Sequence, residues 1–280
     1  MSLRQLLNGG LMSATTLTII SIVIIFAATT LGSAFVFFFK KGFGTKANDF
    51  VLGFAGGIML ASSFFGLILP SITESQTMDV YSKWSYIPPI VGFLLGGLVL
   101  WGMDKLIPHT HLSNDVSEGM GGKNLSKNTR FFFAVTIHNI PEGLSVGLAC
   151  GLGLAAAKTD STNLTLAFSA LSLAIGIAIQ NIPEGAAVSI PMFGAGEKKS
   201  RAFLFGTASG AVEPVFAIVG LFLAQIEVIS PWLLSFASGA MIYVTLDELI
   251  PDSRQTQDAH IGIWSFMIGF VVMMALELAF

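Results

Sequence analysis

Two stretches of this sequence place cation-binding groups where charged side chains are scarce. His138-Asn139-Ile140-Pro141-Glu142-Gly143 recurs, nearly letter for letter, as Gln180-Asn181-Ile182-Pro183-Glu184-Gly185. Each copy lies inside a long apolar run. A carboxylate at the centre of a bilayer is costly, and ionisable residues there are rare and mostly functional. Imidazole suits Zn, Cu, Fe and Ni, and carboxylates add hard oxygens, so these residue types form a divalent-metal ligand set. A mixed N/O set without thiolate points to reversible binding of Zn²⁺ or Fe²⁺, where a Cys-rich structural site would hold zinc too firmly to move it.

Spacing assigns faces. His138 and Glu142 are four residues apart, as are Gln180 and Glu184, so each pair shares one face of a helix. Asn139 and Asn181 are turned by about 100° from their neighbours. One face of each helix could hold a first metal and the adjacent edges a second, with a Glu carboxylate bridging. Two plainer readings remain open at this point. The Asn side chains could hydrogen-bond between helices, and the Glu side chains could be protonated carboxyls bonded to helix carbonyls.

The elements that position these groups follow from composition. The chain has 280 residues, 53% hydrophobic and only 11% charged, where a soluble domain is nearer a quarter charged. Eight apolar spans are expected, at 11–39, 50–72, 86–107, 131–154, 164–192, 202–225, 231–250 and 261–280. Each can cross a ~30 Å hydrocarbon core. Helices satisfy their own backbone groups in lipid, so the fold class is an all-α polytopic membrane protein, with one transmembrane domain over 1–280. The stretch 108–130, rich in Ser, Asn, Gly and Lys, is expected to be a flexible loop. The first run is too long for a signal-peptide core and is expected to be retained as a helix.

Spans four and five are consecutive and therefore antiparallel, so the repeated motif sits on two oppositely directed helices. Inverted repeats meeting near the midplane frame the substrate site of many transporters. Pro141 and Pro183 would free the carbonyls of Ile137 and Ile179 and kink the helices. At ~1.5 Å per residue, Glu142 lies about 17 Å from one end of span four and Gln180 about 18 Å from the same end of span five. Glu213 in span six and Met59 in span two reach that layer, at about 16 Å and 14 Å. Met59 alone would read as core packing.

Eleven Lys and Arg residues fall on one side of the spans and three on the other, of fourteen in all. Positive charge stays inside, so both termini are expected to face away from the cytoplasm, in a cell membrane. Scattered basic residues leave no nucleic-acid patch. The single cysteine, Cys150, excludes an intrachain disulfide and reads as a packed core thiol. Asp104, Asp247 and Glu248 lie at the inner ends of spans three and seven, with His109 and His111 following span three. They could form a release route for a cation, or be interfacial charges and solvated loop residues. His260 has no partner in the sequence and reads as structural.

The paired Asn-Ile-Pro-Glu-Gly motifs, Gly56-Gly57-Ile58-Met59-Leu60-Ala61 in span two, and Asp247-Glu248-Leu249-Ile250-Pro251 at the end of span seven resemble the ZIP family of divalent-metal transporters, its GufA-type branch in particular. The resemblance implies a binuclear centre of His138, Asn139, Glu142, Gln180, Asn181 and Glu184, completed by Met59 and Glu213. It implies uptake of Zn²⁺ into the cytoplasm, with Fe²⁺, Cd²⁺ or Mn²⁺ as substitutes, and a homodimer in some members. It also implies an elevator in which spans one, four, five and six move against the other four. Some relatives carry Asp at the position of Asn181, and other branches carry His at that of Gln180. An intramembrane zinc hydrolase is the alternative, needing a general base beside an open coordination position. A cation channel would want rings of like groups and weak sites.

Overall fold

The computed structural model describes residues 13–38, 44–106, 127–160, 162–194, 196–254, 256 and 260–279. Among them the chain forms eight helices long and apolar enough to cross a membrane, and no strand. They are α1 (Ala14–Phe37), α2 (Thr45–Thr77), α3 (Ile87–Leu106), α4 (Lys127–Thr159), α5 (Thr165–Gly194), α6 (Lys199–Leu223), α7 (Glu227–Asp252) and α8 (His260–Ala279). The eight expected spans are all present; α2, α4 and α7 run past both expected ends, and α1 and α3 fall inside theirs. α4 begins at Lys127, inside the stretch expected as a loop; 107–126, with His109 and His111, lies outside the described residues. α2 starts at Thr45 although Lys46, Asn48 and Asp49 break the apolar run. Asp49 is buried and accepts hydrogen bonds from the Thr256 amide (2.9 Å) and hydroxyl (2.5 Å), which satisfies that polar first turn.

Three helices deviate beside a proline and two do not. α4 and α5 stay helical through Pro141, Pro183 and Pro191. α2 and α7 each contain a wider π turn, at Ser62–Ile68 and Thr245–Leu249. Each ends two residues before a proline, Pro70 or Pro251. A proline cannot donate to the carbonyl four residues back, and a local π bulge is one way a helix absorbs that loss. α6 breaks at Ala211, between Lys199–Gly210 and Val212–Leu223. There Pro214 leaves the Gly210 carbonyl without its usual donor, and the Ala211 amide turns back to Ala208 (3.2 Å).

The helices pair as α1 with α5, α4 with α6, α2 with α8 and α3 with α7. Further packing among α1, α4, α5 and α6 makes one bundle, and α2 joins α7 in the other. Ser238 on α7 donates to the Ser63 carbonyl (3.0 Å) and Ser71 on α2 to the Pro231 carbonyl (2.6 Å), fastening that second bundle. α4 meets α7, and α5 meets α2 and α8, where the two bundles face each other.

Candidate metal centre

His138, Glu142 and Glu184 converge at the middle of α4 and α5. One ligand atom from each lies within 4.8 Å of the others. His138 Nε2 is 3.2 Å from Glu184 Oε1 and 3.4 Å from Glu142 Oε1. Neither contact is aligned as a hydrogen bond, since Nε2 has no hydrogen-bond partner. His138 Nδ1 faces Glu248 Oε2 at 3.9 Å. With the proton placed on Nδ1, toward that carboxylate, Nε2 presents a lone pair to the cluster.

The carboxamides around the cluster are all turned one way. Gln180 Nε2 donates to Glu142 Oε1 (2.6 Å) and Asn139 Nδ2 to the Ser209 carbonyl (2.9 Å). Asn181 Nδ2 donates to Glu213 Oε2 (2.7 Å) and the Ile25 carbonyl (3.2 Å). Each carboxamide nitrogen donates, and the oxygens are left over. His138 Nε2, Asn139 Oδ1, Glu142 Oε2, Gln180 Oε1, Asn181 Oδ1 and both Glu184 oxygens are seven buried atoms without a partner. Asn139, Glu142, Gln180, Asn181 and Glu213 have no exposed surface, while His138 keeps 4% and Glu184 5%. Buried polar groups are almost always paired, and an unpaired buried ion costs several kcal/mol. A set of orphaned buried acceptors is the chemistry that suits a cation.

A cavity of about 30 Å³ reaches the cluster, lined by His138, Glu184, Glu248 and Asp252 with apolar Leu52, Val135, Ala187 and Leu249. That is room for one water or one ion with little of its hydration shell. It opens toward the end of the bundle where α2, α4, α6 and α8 begin, the end carrying Lys46, Lys105, Lys198, Lys199, Arg201 and Arg254. Asp104 and Asp247 do not join the cluster; with Glu248 they gather about Tyr243, whose hydroxyl hydrogen-bonds Asp104. Met59 is fully buried in the apolar core, and no described contact joins it to the carboxylates. Glu213 is bonded to Asn181 and Thr29.

Three residues beyond those expected belong to this region. Asp252 follows Glu248 by one turn, and the signal for it was the Asp-Glu-Leu-Ile-Pro-Asp run read past its proline. Tyr243 lies one turn before Asp247 on the same helix. Thr29, on α1, donates to Glu213, 184 positions away in sequence.

The Zip family profile, described as ZIP Zinc transporter, matches residues 128–277, from the start of α4 through α8. "Zinc transporter ZIP11" of Xenopus tropicalis is 31% identical, over 89% of this chain and 93% of its own length. "Zinc transporter GufA" of Myxococcus xanthus is 33% identical, over 82% and 88% respectively. "Zinc transporter ZIPB" of Bordetella bronchiseptica is 32% identical, over 91% and 78%. These relatives are named as transporters, which removes the hydrolase alternative. Eight membrane-length helices, a buried acceptor cluster between two inverted motifs and these likenesses agree: the chain belongs to the ZIP family, divalent-metal transporters and not enzymes.

Proposed function

We propose that this protein carries Zn²⁺ across a cell membrane into the cytoplasm through two adjoining sites, with Fe²⁺, Cd²⁺ or Mn²⁺ able to substitute. The observation that carries the reading is the convergence of His138, Glu142 and Glu184 within 4.8 Å, ringed by carboxamide oxygens that accept nothing. His138 Nε2, one oxygen each of Glu142 and Glu184, and Gln180 Oε1 make the first site, which the family resemblance completes with Met59. Asn139 Oδ1, Asn181 Oδ1, Glu213 and the second oxygens of Glu142 and Glu184 make the other.

In this reading the basic end is cytoplasmic, both termini lie outside, and the thin cavity is the release side. Hydrogen bonds of the site support transport by bundle movement. Thr29 to Glu213, Asn181 to Ile25, Asn139 to Ser209 and Gln180 to Glu142 all stay within α1, α4, α5 and α6. A site stitched into one bundle can travel as a unit. Glu248 on the other bundle, 3.9 Å from His138, receives the departing ion; Asp247, Asp104, His109 and His111 pass it on. The test is Zn²⁺ uptake into proteoliposomes by Glu142→Ala and Glu184→Ala, with insertion and folding verified. Uptake should vanish in both; undiminished uptake in either rejects the site.

A further inference from the structure

Thr29 and the two motif glycines act on Glu213 as one device. Thr29 is fully buried on α1. Its hydroxyl has a single proton and two acceptors in reach, Glu213 Oε1 at 2.8 Å and the Ile25 carbonyl at 3.3 Å. The shorter, charged acceptor takes it. Asn181 donates to the other carboxylate oxygen (2.7 Å). Glu213 is thus held from both sides, by α1 and by α5.

The glycines make that approach possible. A Cβ on Gly185, which closes the second motif, would lie 2.1 Å from the Thr29 carbonyl oxygen. A Cβ on Gly143, which closes the first, would lie 2.3 Å from the Glu213 carbonyl oxygen and 2.8 Å from its Cα. Gly210 completes the fit, since its Cβ would stand 2.7 Å from Thr29 Cβ and Cγ2. One motif glycine seats Thr29 and the other seats Glu213. Each carboxylate oxygen keeps a lone pair after accepting one hydrogen bond, so the device orients Glu213 without using up its capacity to bind a cation.

We propose that Thr29 is the positioning residue for Glu213 and thereby sets the affinity of the second metal position, with the motif glycines shaping its seat. The proposal rests on the two-site reading given above. Hydrogen-bonding partners behind a metal ligand typically change affinity by about 10- to 100-fold when removed.

Purified protein in detergent would be titrated with Cd²⁺ and followed by cadmium NMR, which separates a site containing imidazole nitrogen from one of oxygen alone. Wild type should take up two equivalents with two resonances. Thr29→Val keeps the shape and removes the donor; it should weaken the all-oxygen step about 10- to 100-fold and leave the His138 step within about threefold. Thr29→Ser should restore the wild-type profile. If Thr29→Val does not fold, Thr29→Ala removes the same donor with less bulk and carries the same expectation. Equal weakening of both steps would mean a merely structural role and overturn the proposal, as would no change in either. One equivalent in the wild type would instead reject the two-site reading before any variant is compared.

Discussion

Inside the α1/α4/α5/α6 bundle, helices meet backbone to backbone: Gly32 stands against the Ile182 carbonyl, Gly147 against Ala217, and Gly185 against Thr29. The other bundle is built alike, with Gly57 against the Phe266 carbonyl and Gly96 against that of Phe236. Across the boundary between bundles the contact changes in kind. There Gly66 meets the tip of Leu173, and Gly176 meets the sulfur and methyl of Met273 and the Ser62 hydroxyl. Small residues let helices approach closely and lock them, whereas side-chain tips can change rotamer. The locked surfaces lie within the bundles and the yielding one between them, which is the arrangement a sliding bundle requires.

The largest test of this contrast is a pair of glycine variants. Gly185→Ala drives a methyl into the Thr29 carbonyl, and relief needs a backbone shift. It should cost about 3 kcal/mol of stability in detergent melts and abolish metal binding. Gly176→Ala meets Met273, which can swing aside. That variant should lose about 1 kcal/mol or less, keep metal binding and slow transport. Equal damage from both would erase the distinction.

A smaller effect separates the site from the static bundle. Asp247→Asn with Glu248→Gln should lower the maximal uptake rate several-fold, because an ion leaving a tight site needs weaker oxygen ligands along its path, while equilibrium binding at His138 changes little. Stopped-flow uptake beside equilibrium binding decides it; loss of binding would move Glu248 into the primary site. The smallest effect is expected from Tyr243→Phe. Losing one hydrogen bond to Asp104 should reduce the rate about twofold, the lower end of what a single hydrogen bond is worth, with metal affinity unchanged.

The repeated motif was legible because chemistry and period coincide. His138 and Glu142 at four-residue spacing, and the same in Gln180 and Glu184, place candidate ligands on facing helices without any knowledge of the fold. The spans were legible from their hydrophobicity, and their ends were not. Asp49 reads as a loop residue until Thr256, distant in sequence, supplies its partners. The π turns before Pro70 and Pro251 leave no period of their own in such uniformly apolar helices. Thr29 was hidden for a related reason: its meaning is a hydrogen bond to a residue 184 positions away. The inverted motif did show that α4 and α5 face each other, but which helices back them depends on the glycine seats.

The proposed transport requires that the cluster and its bundle move together past α2, α3, α7 and α8. Cys150 is 1% exposed, so introduced cysteines can be spin-labelled selectively. Leu204→Cys on α6 with Leu94→Cys on α3 reports across the boundary, and Leu204→Cys with Leu31→Cys on α1 reports within one bundle; all three leucines are exposed. Pulsed electron-spin distances in liposomes should show two populations about 5 Å or more apart for the first pair, the scale of a one-turn slip, with Zn²⁺ shifting their ratio, and a single unchanged distance for the second. A single, zinc-independent distance for both pairs, or an equal change in both, would contradict the account.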